Sequence, residues 1–482
     1  MPADAKEPQE GRRAAAQALP AAAASLYLLL PALLFAAGWL QPVPAALAAV
    51  VLLAAWCLWV RDMSRGKRFL PELTRPRAVS AVLSALLALA ATALIGFHGC
   101  FPQHGDMMVR NAVYESLARE PWPLYSAGGD YFVYYLLFWL PPAALTKLCG
   151  FGGQTWLFLW TFAGLYFTIR LLSERFRAWA FPLLVLFFAS ECMANNVNLS
   201  GENWVHFNFS FGVNQLCNSY NHAVPAALAA ALLFSRTCPA RHLPLLLALS
   251  ALASPFAALA LLPWGLMRLW PLLRCGKVTM PFFLNAAAAL LWAAVAAAYL
   301  SGQAGQGSFA GFVWQDMPYW CEPMQSLPYR GGVLCMMLLC ALLPLWMLVH
   351  PRFRRTCFFR CLVLLGVALP LLWVGRLHNE WLYKGSLVFA MGQAALWCLS
   401  LKTAVRRRRW GYVVCALLFF ALSSEQCLRY LYGKGKRFAF TPQGMEQNLQ
   451  GDWQGHLNHP DSYEYGNFFG VNRFPLLLKE TR

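Results

Sequence analysis

Acidic residues are scarce in this chain: 21 Asp and Glu stand against 39 Lys and Arg in 482 residues. All charged residues together make up only 12%, roughly half the share found in soluble domains. With 59% of residues hydrophobic, no soluble core could take up the apolar surface, so the solvent for most of the chain is lipid. There are 15 cysteines but no Cys-x-x-Cys pair, which excludes the usual zinc-ribbon and dithiol redox motifs. Cysteines inside apolar runs, such as Cys335, Cys340, Cys361 and Cys415, read as reduced core residues. Cys100, Cys217 and Cys321 fall in expected outer loops, where a disulfide is conceivable. An internal repeat and a long low-complexity linker are also missing, which points to one polytopic domain. The net charge of +18 is dispersed in short clusters between apolar runs, so no nucleic-acid-binding face is formed.

A helical crossing needs about 20 apolar residues. Stretches meeting this lie near 20–40, 43–60, 78–97, 154–172, 178–194, 279–299, 331–349, 358–375, 385–401 and 410–427. Shorter apolar pieces lie near 131–149, 223–235, 243–254 and 255–273. Backbone groups in lipid must be bonded within their own helix, so these pieces are also expected to be helical or sheltered by protein. The basic clusters set an orientation: Arg12 and Arg13, Arg61 to Arg77, Arg170 to Arg177, Arg236 and Arg241, Arg268 to Lys277, Arg352 to Arg360, and Lys402 to Arg409 all go to the cytoplasmic side. Residues 98–153, 195–222, 300–330, 376–384 and the tail are then outside. The expected fold is all-α, with about 13 spans. Residues 131–149 form a re-entrant or juxtamembrane helix in the first large outer loop, and 243–273 a hairpin with its tip at Ser254-Pro255. The expected divisions are a flexible N-terminus over 1–19, a transmembrane domain over 20–427, and a short tail over 428–482 packed on the outer loops. The acidic and basic segment Met1 to Arg13 marks the first apolar run as an anchor helix rather than a cleaved signal. One cluster, Arg429 to Arg437, argues for a cytoplasmic tail and is outvoted by the others.

Three outer segments are more polar than connecting loops require. The first is His104-Gly105-Asp106 with Arg110, followed by the aromatic run Asp130 to Pro142 that contains Tyr134 and Tyr135. Asp106 and Arg110 share a helix face if a helix starts there, and Asp106 suits an N-cap. Its carboxylate beside the bilayer could equally bind a metal or take a proton from a hydroxyl. The second runs from Glu191 to His222 and is dense in Asn, His and aromatics, with Glu202, His206, Asn221 and His222 beyond what interfacial anchoring explains. Amides and carboxylates bind sugar hydroxyls, and flat rings cover the apolar face of a sugar. His206, His222 and a carboxylate could hold a metal, although their spacing matches no tight ligand motif. The third is Arg376-Leu-His378-Asn379-Glu380-Trp-Leu-Tyr383-Lys384, which feeds straight into a span. Lys384 at that boundary could pair with a lipid-linked phosphate, or merely snorkel to the headgroups.

This layout resembles the GT-C superfamily of polytopic membrane glycosyltransferases, which includes protein mannosyltransferases and lipid A aminoarabinose transferases. The likeness is to a bacterial branch with an Asn-Asp-x-x-Met-Arg-x-Ser-like motif near the C-terminal spans and an Asn-x-x-x-x-Pro-Gln-His-like motif before a mid-chain span. Here the first reads Asn379-Glu380-Trp-Leu-Tyr383-Lys384-Gly-Ser386 and the second Asn218-Ser-Tyr-Asn221-His222-Ala-Val-Pro225. Glu380 stands in place of Asp, Lys384 in place of Arg, and the first loop carries no Asp-x-Asp.

The resemblance implies an inverting hexosyl or pentosyl transferase in the bacterial cytoplasmic membrane with its site facing outside. The donor would be a polyprenyl-phosphate sugar and the acceptor a glycan, lipid or protein. Asp106 would be the base, and Lys384 with Arg376 or His222 would hold the donor phosphate. His104, Arg110, Tyr134, Tyr135, Glu202, His206, Asn221, His378, Asn379 and Glu380 would bind substrate, with Mg or Mn as an optional cofactor. The competing expectations are a transporter or flippase of lipid-linked saccharides, and an O-antigen polymerase or ligase. Sugar, acceptor and oligomeric state are not written in the sequence.

Overall fold

The computed structural model describes residues 18–64, 75–103, 105–126, 129–176, 212–235, 237–276, 278–303, 309–315, 327–375, 379–423, 425–438 and 469–479. The helices are α1 (Ala18–Trp39), α2 (Pro42–Ser64), α3 (Arg75–Ile95), α4 (Gly105–Arg119), α5 (Leu140–Cys149), α6 (Gly153–Phe176) and α7 (Gly212–Phe234). Then come α8 (Leu243–Ala253), α9 (Pro255–Arg274), α10 (Met280–Leu300), α11 (Leu327–Leu348), the short α12 (Pro351–Arg354), α13 (Cys357–Leu371), α14 (Glu380–Arg406), α15 (Trp410–Ser423) and α16 (Glu425–Lys436). Eight of these described helices are long and apolar enough to cross a membrane: α1, α2, α3, α6, α9, α10, α11 and α14. The chain therefore has the make-up of an all-α, multi-pass membrane protein.

The expected hairpin is present. Helix α8 has 11 residues, which at 1.5 Å per residue gives about 16 Å, short of the roughly 30 Å hydrocarbon core. Ser254 leaves helical geometry at φ −155° and ψ 83°, and Pro255 starts α9 as a first-turn proline. The aromatic run after α4 forms β1 (Tyr131–Phe132), a tight 3-10 turn (Leu136–Trp139) and then the short helix α5.

Several expectations are corrected. Residues from Gly212 to His222, read as outer loop, are helical apart from a kink at Ser219 and lead into the apolar piece after them. Their polar side chains turn inward and bond across the bundle; Gln215 Nε2 donates to the Tyr383 carbonyl (2.6 Å) and to Ser386 Oγ (2.9 Å). The apolar stretch at 358–375 ends as a helix at Leu371. It continues as β3 (Leu372–Gly375), which pairs antiparallel with β2 (Phe309–Phe312). Arg170, taken as an exposed orientation marker, is buried. It donates to Ser80 Oγ at 2.7 Å and pairs with Glu174, tying α6 to α3. Cys335 and Cys415 face outward, because the apolar surface of a membrane helix is covered by lipid as well as by protein. Cys100 and Cys217 are free thiols, and Cys321 lies outside the described residues.

The described end of the tail, residues 469–479, packs on the same end of the bundle as β1 and the α1–α2 turn. The strand β4 (Phe469–Gly470) pairs with β1, and Leu478 bridges Leu40. Lys434, from the dissenting basic cluster, donates to the carbonyls of Leu94 (2.7 Å) and Pro102 (3.0 Å). Its charge is thus used to cap the end of α3.

Candidate functional site

The site is built where α4, the aromatic run, α7, the α8–α9 hairpin and α14 meet. Helix α7 breaks its regular geometry at Ser219 (φ −145°, ψ 42°). Pro225 follows and lacks the N–H that would bond the Asn221 carbonyl four residues earlier, so this stretch cannot run as an ordinary helix. The irregular turn aims Ser219, Asn221 and His222 into the bundle, where all are buried. Arg110 crosses from α4 to meet them, donating through Nε to Asn221 Oδ1 and through a terminal nitrogen to Ser219 Oγ, both at 3.2 Å.

Helix α14 brings the second cation. Its start is fixed by Asn379, whose Oδ1 accepts from the backbone of Leu382 (3.2 Å) and Val374 (3.3 Å), while Nδ2 donates to the Leu372 carbonyl (2.8 Å). Asn379 was expected to bind substrate. Instead its amide is committed to capping the helix and closing the turn from β3. One turn on, Lys384 is buried and ion-paired with Glu380. Its Nζ lies 5.2 Å from the ring centre of Tyr135 and 5.4 Å from that of Phe256, which sits at the hairpin tip. A buried ammonium costs several kcal/mol unless compensated. The carboxylate and two ring faces, each worth about 0.5–2 kcal/mol, supply that compensation.

Tyr135 joins the two halves, because the ring of His222 stands edge-on at 5.0 Å from it and Phe256 at 6.5 Å. Both Lys384 and Arg110 lie near enough for their charges to act on the His222 ring. Tyr134 is held one residue earlier, with its backbone N–H on the Tyr299 hydroxyl at 3.0 Å and its ring stacked on Trp139.

Buried polar atoms gather here without protein partners: Asn221 Nδ2, both ring nitrogens of His222 and Ser254 Oγ. The Ala253 backbone at the hairpin tip interacts with the His222 ring, without meeting full hydrogen-bond geometry. Buried polar groups are rarely left unsatisfied in native proteins, and these four atoms could take up polar ligand atoms. Two cations and several donors suit an anionic oxygen-rich group, and the rings of Tyr135 and Phe256 suit an apolar or sugar face.

Of the residues expected from sequence, the structure brings together Arg110, Tyr135, Asn221, His222, Glu380 and Lys384, with Tyr134 alongside. Asp106 is the second residue of α4, and its side chain lies outside the described residues, as do His104, Glu202, His206, Arg376 and His378. Among the described residues no group of three His, Cys, Asp or Glu stands close enough to hold a metal ion. Ser219 and Phe256 were not anticipated as site residues, although the polar run before Pro225 and the Ser-Pro-Phe tip were visible as local signals. Comparison with known protein families, with curated proteins and with solved structures returned no match. Fold and site together define a multi-pass helical membrane protein with a cationic, aromatic-walled cluster near one end of its bundle.

Proposed function

We propose that the chain is a membrane glycosyltransferase that moves a sugar from a polyprenyl-phosphate donor to an acceptor hydroxyl. The observation that carries this reading is Lys384, an ammonium buried between the rings of Tyr135 and Phe256 and close to His222. In the reaction the acceptor oxygen attacks the anomeric carbon, and the bond from that carbon to the phosphate oxygen breaks. The electron pair stays on the phosphate, and the acceptor proton passes to Asp106, four residues before Arg110 on α4. Lys384 and Arg110 stabilise the charge that grows on the leaving phosphate. Tyr135 and Phe256 cover the sugar, and Asn221 and His222 bond its hydroxyls or the phosphate. A divalent metal, if one is bound, would neutralise phosphate charge.

The finer topology belongs to the same proposal: about 13 spans, with the cluster and tail outside the bacterial cytoplasmic membrane and the arginine-rich loops inside. Reconstituted protein given radiolabelled polyprenyl-phosphate sugars should transfer label, and Asp106→Asn should abolish transfer while expression is kept. Full activity in that variant would remove Asp106 from the mechanism. No transfer from any lipid-linked donor, with flux of the donor across the vesicle instead, would favour a second reading, a lipid-saccharide transporter or flippase. The broken α7 and the short α8–α9 hairpin meeting at one polar cluster are features that this second reading also predicts.

A further inference from the structure

At the end of the bundle away from Lys384, two arginine-rich loops distant in sequence are brought together. Helix α11 ends at Leu348 and delivers His350 and α12, which carries Arg352 and Arg354. Helix α14 ends at Arg406 and turns through Arg407, Arg408 and Arg409, with Arg408 in the left-handed region at φ 53°. The hydroxyl of Tyr412 bonds the Leu348 carbonyl, which holds the second loop against the first. Arg352, Arg354, Arg407 and Arg409 all lie close enough to act electrostatically on His350. Among the described residues none of the four is in an ion pair with a carboxylate, so like charges are concentrated without a protein counter-ion.

His350, which all four arginines influence, is buried at 8% exposure. Its backbone N–H donates to Ser400 Oγ at 2.9 Å, and its Nδ1 accepts from the Arg352 backbone N–H at 3.2 Å. An accepting Nδ1 carries no proton, so the proton of the neutral ring is on Nε2. That Nε2 is buried and has no hydrogen-bond partner. Burial, and then the surrounding arginine charges, push His350 below the ordinary histidine range, which keeps the ring neutral and Nε2 a donor. A buried donor without an acceptor, within electrostatic reach of four arginines, lacks one thing chemically: an anion with several oxygens.

We propose that Arg352, Arg354, Arg407 and Arg409, with His350 behind them, bind the phosphate of an anionic phospholipid headgroup. A lipid rather than a soluble phosphate is indicated by what flanks the arginines. Trp346 is 59% exposed and carries the Arg354 guanidinium over its ring at 4.6 Å, while Trp410 is 58% exposed directly after Arg409. Large exposed indoles beside a basic cluster mark headgroup depth, where acyl chains would cover Trp346, Met347 and Trp410 as the phosphate enters. The ordinary preference of arginine for the cytoplasmic side explains basic loops, but not an unpartnered buried His350 Nε2 beneath them.

The test uses the full chain, purified and delipidated in a neutral detergent. It is titrated separately with phosphatidylglycerol, phosphatidylcholine and inorganic phosphate, reading retained lipid by native mass spectrometry and the thermal midpoint. Phosphatidylglycerol should be retained and should raise the midpoint, phosphatidylcholine should do neither, and inorganic phosphate should not displace the lipid. Arg407→Gln with Arg409→Gln should weaken retention about tenfold or more. Arg274→Gln with Arg473→Gln, which removes as much charge outside this cluster, should change it less than about twofold. Both Arg407 and Arg409 are exposed, so folding is kept, and the Arg407→Lys, Arg409→Lys pair should recover part of the binding. Equal losses in the two Gln pairs would reduce the effect to diffuse attraction and overturn the site. Displacement by inorganic phosphate would overturn the lipid assignment, and unchanged binding in Arg407→Gln with Arg409→Gln would overturn both.

Discussion

Lys384 and Tyr135 come from opposite halves of the chain, yet the ammonium lies 5.2 Å from the centre of the phenol ring. The contact links the first aromatic run to the start of α14. It places a cation where the irregular turn of α7 and the tip of the α8–α9 hairpin also arrive.

That cation should be separable from the fold. Lys384→Gln removes the charge but keeps a hydrogen-bond donor for the Glu380 carboxylate, whose side chain is 38% exposed. The thermal midpoint should therefore stay within a few degrees. Affinity for a polyprenyl phosphate should fall about tenfold to hundredfold, the worth of a charge-assisted hydrogen bond. A thermal melt checks the first number and calorimetric titration the second; a collapsed fold with unchanged affinity would make Lys384 purely structural.

Asn379 gives the opposite expectation. Asn379→Ala loses the α14 cap and should destabilise the protein by about 1–2 kcal/mol. Asn379→Asp keeps the acceptor that Leu382 and Val374 use but turns a carboxylate oxygen on the Leu372 carbonyl, and should restore only part of that stability. Neither should change the KM for a sugar donor. A KM effect in the Asp variant with the fold kept would return Asn379 to substrate binding.

Gly164 sits where α6 crosses α1 and α7. A Cβ there would fall against Val224 and within 2.7 Å of the Tyr27 hydroxyl. Gly164→Ala should force the helices apart and cost about 1–3 kcal/mol, read as a lower thermal midpoint in detergent. The neighbouring crossing of α13 and α14 uses the same device, with Gly385 against Leu369 at 2.7 Å and Gly392 against Leu362 at 2.8 Å. An unchanged midpoint for Gly164→Ala would show that these helices can part without loss.

Tyr114 on α4 predicts an alkaline transition. Its hydroxyl donates to the Gly153 carbonyl and contacts Thr146 Oγ1 at 2.9 Å. Burial, outweighing the opposing hydrogen bond from Thr146, pushes the phenol up to about 12. The unfolded chain gives up this proton near pH 10 and the folded chain does not, so the folded state binds more protons between pH 10 and about 12. This stabilisation is complete below pH 10 and is lost as the pH rises through about 12. Tyr114→Phe should lower the midpoint at neutral pH and flatten its decline above pH 10. An equally steep alkaline decline in that variant would assign the transition to another group.

Much of the architecture was legible because hydropathy is a local property. Runs of apolar residues must be helical in lipid whatever surrounds them, so α1, α2, α3, α6, α10, α11 and α14 could be read directly. Ser254-Pro255 announced the hairpin through proline chemistry. Gly212 to His222 was misread because inward-facing amides look the same as loop amides until a partner is known; Gln215 is helical here because Tyr383 and Ser386 satisfy it. Asn379 carries a related ambiguity, since a polar residue before a helix can serve a ligand or the backbone, and only the fold shows that Leu372 and Val374 lie within its reach.

The sequence alone determined that the chain lives in lipid, where most of its helices run, and which polar stretches stand out against that background, because each follows from residues adjacent in the chain. Only the tertiary structure decided that Arg110, His222, Tyr135 and Lys384 share one neighbourhood, that Asn379 serves the backbone, and that two arginine loops converge on His350. Those outcomes depend on how helices cross, which is set by small contacts such as Gly164 on Val224 and Tyr27 that no periodicity encodes.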